Sequence, residues 1–142
     1  MSNEISGFVA LQFGQELTAA VDATPVDLYC PQTATTMPGV PVIAVPMPQS
    51  GCVRAISVKF ETGVAAGRAA TLAATKGGTE DTVAVKALAG GDTKGYASFD
   101  NDDMVFNAGD EIGISLTGDA AAAIAVQGVH AVVFAQFGRS NI

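Results

Sequence analysis

In the stretch VRAISVKFE, residues 53–61, Ile56, Val58 and Phe60 fall on one side of an extended chain, and Ala55, Ser57, Lys59 and Glu61 fall on the other. A strand with one buried face turns that period of two into a continuous apolar surface. The same period returns in TVAVKAL, where Val83, Val85 and Ala87 oppose Ala84, Lys86 and Leu88. It returns again in EIGISLTG, where Ile112, Ile114 and Leu116 oppose Gly113, Ser115 and Thr117. No stretch sustains an apolar stripe of helical period, so the chain reads as nearly all-β.

Glycine, asparagine and aspartate cluster between these segments, in ETGVAAG at 61–67, KGGTED at 76–81, AGGDTKG at 89–95, DNDD at 100–103 and NAGD at 107–110. These residue types supply positive φ or bond their own backbone, so each cluster marks a turn. Strands then recur about every 10 to 15 residues, the spacing of an antiparallel sandwich or barrel. Local propensity admits exceptions: a short helix in QELTAAV, residues 15–21, and helical turns in the alanine runs at 65–74 and 120–125, the first weakened by Gly67 and its threonines.

The length of 142 residues suits one domain. The segment from Pro31 to Pro48 holds five prolines, which remove backbone donors and bar a central strand from most of it. It reads either as an extended arm or edge segment lying across neighbouring subunits, or as an ordinary surface loop. Residues 1–45 are accordingly set apart as an extended N-terminal arm or edge-strand segment, and 46–142 as the β body, within a single domain overall.

The distribution of charge constrains partners. The chain carries 14 acidic and 7 basic residues, and no lysine or arginine precedes Arg54. Residues 1–53 hold Glu4, Glu16, Asp22 and Asp27 and no base, whereas 54–142 hold the remaining ten acids and all seven bases. With no basic field to meet phosphates, nucleic acid is not expected as a partner. A hydrophobic content of 49% with so few charges predicts that other subunits cover part of the surface. Ala120 to Phe137 is uncharged, but Gln127, His130 and Gln136 make it a poor membrane span, so no membrane partner is expected. Met1 and the nearby Glu4 do not resemble a secretory leader, and synthesis in a cytoplasm is expected.

The chemistry-bearing residues do not assemble a recognisable centre. Asp110 and Glu111 are adjacent, so on a strand they leave opposite faces and cannot act as an acid/base pair. Gly109 is expected to take positive φ and Asp110 to bond its own backbone, so that the two start the next strand. DNDDM offers hard oxygen ligands but departs from the EF-hand pattern, and a solvated acidic turn is the simpler reading. His130 is the only histidine, which excludes a multi-histidine metal cage and suits a place in a sheet or at a subunit seam. No G-x-S-x-G elbow and no phosphate loop is present. Cys30 and Cys52 form no C-x-x-C and read as buried thiols. With no tryptophan, a stacking platform for bases or sugars is unsupported. No enzyme, metal or cofactor is expected.

Taken together, MPQSGCVRAISVKFETGVAAGRAATLAATKGG, ASFDNDDMVFNAGDEIGISLTGD and the closing GVHAVVFAQF resemble small β-jelly-roll modules of tailed-bacteriophage virions, namely capsid decoration or cement proteins and trimeric fibre heads. The F-x-x-G-D-x-I-G-I-x-L pattern is also similar to C1q and tumour-necrosis-factor-like trimers. Residues 46–137 carry the resemblance. It implies an antiparallel β-sandwich of jelly-roll type with an extended N-terminal segment, assembled as a homotrimer. It also implies a decoration protein on the outer capsid surface of a virion, made in the host cytoplasm, with the major capsid protein as partner. A receptor-binding or fibre-tip module is the alternative. The expected capsid or subunit contacts are Phe8, Leu11, Phe13, Val40, Val42 and Val45, with Gly109 and Asp110 as the turn into a core strand.

Overall fold

The computed structural model describes residues 7–16, 21–30, 42–119, 124 and 128–138. They contain no helix and ten strands: β1 (Gly7–Glu16), β2 (Val26–Asp27), β3 (Ala44–Pro46), β4 (Gly51–Phe60), β5 (Ala69–Lys76), β6 (Thr79–Ala89), β7 (Lys94–Ser98), β8 (Val105–Phe106), β9 (Glu111–Gly118) and β10 (Gly128–Phe137). The first sheet has the order β1-β10-β4-β7, with β8 also on β4; the second has the order β2-β9-β5-β6, with β3 also on β9. Every pairing is antiparallel. The molecule is an all-β antiparallel sandwich.

The core lies between the sheets. The first contributes Phe13 from β1, Ile56, Val58 and Phe60 from β4, and Ala131 and Val133 from β10; the second contributes Leu72, Ile112, Ile114 and Leu116. Ile112, Ile114 and Leu116 are all fully buried, so the alternation in EIGISLTG faces inward throughout. Full burial of each such side chain is worth about 1.5–3 kcal/mol.

The phase in TVAVKAL runs the other way from its hydropathy. Ala84 and Leu88 are the buried members of β6, while Val83 stays 49% exposed. The contact is between sheets: Leu88 occupies the space above Gly95 of β7, where an added Cβ would collide with its Cδ2. A larger residue at position 95 would displace it.

The N-terminal third is woven into both sheets. β1 pairs with β10 along its full length, from Gly7 opposite Phe137 to Glu16 opposite Gly128. Val26 and Asp27 pair with Leu116 and Ser115. Leu28 then donates its N–H to Ile114 at 3.0 Å, and Tyr29 exchanges two backbone bonds with Gly14 of β1 at 2.7 and 3.1 Å. Residues 26–29 thus lie along β9 at one end and against β1 at the other, and they give both strands a partner on an otherwise open side.

Local propensity loses to this pairing in two places. Gln15 and Glu16, expected to begin a helix, are ladder partners of Val129 and Gly128. Val21 bridges Ile124, and 17–20 lie outside the described residues. In the first alanine run, Ala69 to Ala74 belong to β5, because Ala70, Leu72 and Ala74 are buried against the opposite sheet. Of the proline-rich segment, 44–46 form the short strand β3 beside β9, and 31–41 lie outside the described residues.

Candidate interaction surface

The outer face of the first sheet is built by the alternate residues that the core does not take. The ladders align Phe8, Gln136, Cys52 and Val105 across it, then Ala10, Phe134, Ala55 and Ser98, then Gln12, Val132, Ser57 and Tyr96; Cys52 is fully buried within the first row. A fourth row holds Gly14, His130, Lys59 and Lys94. The first three rows contain no carboxylate. Phe8 is 57% exposed, Tyr96 74%, and Phe134 and Val105 each 37%. Four of the six exposed large hydrophobic side chains among the described residues therefore share this face.

A β-bulge sets the geometry at its centre. Phe134 pairs with Ala55 but Ala135 pairs with Val53, which leaves Arg54 as the extra residue of β4. Bulges re-aim side chains. Here the guanidinium donates from Nε to the Phe99 carbonyl at 2.9 Å, and from Nη1 to Asn101 Oδ1 at 2.6 Å and Gln136 Oε1 at 2.8 Å. The Arg54 guanidinium is thus engaged by the loop that follows β7 and by Gln136, while Lys59 and Lys94 stand in the row next to Ser57 and Tyr96, and Lys76 Nζ donates to the Val105 carbonyl at 3.1 Å.

The acidic residues mostly serve turns. Gly109 has φ of 91°, Asp110 Oδ2 accepts the Asn107 N–H at 2.8 Å, and the Asp110 N–H reaches the Asn107 carbonyl at 3.1 Å. The turn is anchored by Gly109 N–H to the Met47 carbonyl at 2.7 Å, and β9 begins at Glu111. Asp103 Oδ2 accepts from the Asp100 N–H, Asp92 Oδ2 from the Ala89 N–H, and Asp81 Oδ2 from the Val83 and Ala84 N–H groups. Asp103 and Asp92 close their turns in this way, and Asp81 takes two donors within β6 where its register against β5 shifts between Glu80 and Val85. No group of three or more metal-ligating side chains occurs among the described residues.

The contact residues read from the sequence do not come together at one place. Phe13 is fully buried, and Leu11 and Val45 pack against the core, since the alternation of β1 and β3 turns them inward. Phe8 lies on the outer face just described. Val42 is 56% exposed beside a cleft of about 390 Å³ lined by Ile43, Ala44, Thr75, Gly77, Gly78 and Glu111. Val40 lies outside the described residues. Phe134, Tyr96 and Val132 were not singled out from the sequence: GVHAVVFAQF is apolar on both faces, so hydropathy cannot say which set meets solvent. Cys30 and Cys52 are not joined to each other; Cys30 is partly and Cys52 fully buried, and burial pushes the Cys30 thiol above its ordinary pKa against a lowering backbone hydrogen bond.

The molecule is thus a two-sheet body with exposed aromatic side chains on the outer face of its first sheet. No protein-family model and no curated protein matches the chain. Among solved structures, it is similar to a chain in the acidic stable capsid structure of Helicobacter pylori bacteriophage KHP30, with 12% identity, a TM-score of 0.51, and coverage of 100% of this chain and 97% of that one. It is also similar to a chain from the disulfide-linked pili of Bacillus endospore appendages, with 14% identity, a TM-score of 0.41, and coverage of 95% and 90%. The first is a likeness of fold, and the second is too weak to bear on function.

Proposed function

We propose that the protein is a structural component of a bacteriophage virion, a decoration or cement protein that sits on the outer capsid surface as a homotrimer and ties together neighbouring major capsid proteins. The observation that carries this reading is the exposed face of Phe8, Tyr96, Val105 and Phe134, free of carboxylates in a chain of net charge −7. Such a face is a liability for an isolated acidic domain and an asset for one that is covered in an assembly. The strand orders β1-β10-β4-β7 and β2-β9-β5-β6 support a jelly roll, because the first strand lies beside the last and the chain crosses between the sheets repeatedly, at β3 to β4, β4 to β5, β6 to β7, β8 to β9 and β9 to β10. The fold likeness to a chain of nearly equal length within a phage capsid structure supports the virion setting.

Cementing requires no chemistry, only buried area across a joint, and about 800 Å² per partner makes a specific contact. Three linked copies multiply weak contacts through effective concentration. The test is to mix purified protein with capsids of its own virus that lack it, then measure co-sedimentation and the temperature at which the shells open. Saturable binding with a raised opening temperature is the expected result. Binding to host cells without binding to capsids would instead establish the fibre-tip alternative.

A further inference from the structure

We infer that the outer face of the first sheet is the seam between copies of this chain, closed as a ring of three, with Tyr96, Phe134 and Phe8 packed at the joints. This rests on the homotrimer of the proposed function and names where that trimer is held.

The first argument is electrostatic. Copies of net charge −7 repel, so they associate through a surface that brings no carboxylates together. Three rows of this face meet that condition, and Arg54 is held by Phe99, Asn101 and Gln136. Carboxylates ring the patch instead: Glu16 and Glu61 beyond the fourth row, and Asp100, Asp102 and Asp103 in the loop after β7. An apolar, aromatic centre within a charged rim is the usual layout of a protein–protein contact.

The second argument is size. Strands about 4.8 Å apart and side chains repeating every 6.8 Å give three rows over four strands an area of about 400 Å². That is about half the 800 Å² per partner of a standard interface, so a pair held by this face alone would be weak. Around a threefold axis each copy meets both neighbours, so the two joints divide this area between them, and a subunit leaves only when both open.

The test compares the intact chain with Tyr96→Glu, Phe8→Glu and, as a control on the second sheet, Val83→Glu. Mass is read by light scattering after size exclusion over a dilution series, fold by circular dichroism, and attachment by co-sedimentation with capsids. The inference expects three chain masses for the unmodified protein and for Val83→Glu, and a threefold fall in mass for folded Tyr96→Glu. Phe8→Glu supplies the same answer if Tyr96→Glu does not fold. Both seam variants remaining at three chain masses would overturn the seam while the trimer stands, and dissociation by Val83→Glu as well would overturn it as a general charge effect. A single-chain mass for the unmodified protein would overturn the seam and the trimer together, and co-sedimentation would then show separately whether capsid binding survives.

Discussion

Phe8 lies opposite Gln136 in the ladder, yet its ring stacks on that of Phe134, two residues away along β10, with centroids 5.0 Å apart and an interplanar angle of 7°. The stack ties the start of an edge strand to the central strand beside it. An aromatic pair of this kind is worth about 0.5–1.5 kcal/mol beyond its area. A double-mutant cycle of Phe8→Ala and Phe134→Ala, read from denaturant midpoints, is expected to return a coupling energy in that range. Additive effects would show that the rings do not interact in solution.

Phe13 tests whether the N-terminal strand is part of the folded body. It is fully buried in the core, so Phe13→Ala is expected to cost about 3–5 kcal/mol. A change in midpoint below 1 kcal/mol, on the order of a surface substitution, would mean that β1 docks only loosely. Removal of residues 1–14 is for the same reason expected to destabilise the sandwich, since it takes away Phe13 and most of the β1 ladder.

Arg54 connects three elements through its side chain, reaching Phe99, Asn101 and Gln136. Arg54→Met keeps the apolar stem and removes every donor, at an expected cost of about 1–3 kcal/mol. Hydrogen exchange should localise the loosening to residues 99–104. The Phe99 N–H, which donates to the Arg54 carbonyl at 2.7 Å, should exchange faster as the loop opens.

Two glycines on adjoining strands should respond differently to alanine. A Cβ at Gly51 would strike the Gln136 carbonyl, which is backbone, whereas one at Gly95 would meet the tip of Leu88. Gly51→Ala is therefore expected to lose about 1–3 kcal/mol by overpacking. Gly95→Ala is expected to lose less, because Leu88 can change rotamer. Thermal melts of the two proteins check the order.

The thiols give a pH-dependent readout. Burial raises the Cys30 pKa, so the thiolate fraction at a given pH lies below that of an open cysteine, and alkylation should be slow near neutrality and accelerate as pH rises. Cys52 is fully buried in β4. Intact mass after iodoacetamide treatment should show at most one adduct on the folded protein and two in denaturant. Two rapid adducts without denaturant would show that β4 opens.

Much of the sandwich was legible because its cause is local. The alternation in VRAISVKFE and EIGISLTG marks β4 and β9, and the Gly-Asp and Gly-Gly clusters fall between strands, since strand period and turn chemistry are set within a few residues. The helix expected at 15–21 misled because ladder partners more than a hundred residues away, Val129 and Gly128, decide the conformation of Gln15 and Glu16.

The interaction surface was less legible. Phe8 and Phe13 look alike in FVALQF, but five positions separate them, an odd number, so a strand sends them to opposite faces. Periodicity alone determined that this protein forms half-buried strands joined by tight turns. Only the tertiary structure decided which phase faces the core in β1, β6 and β10, and that Phe8, Tyr96 and Phe134, distant in sequence, come to share three rows without a carboxylate on one face. Register between strands is a property of the partner as much as of the strand, and a single chain segment does not contain it.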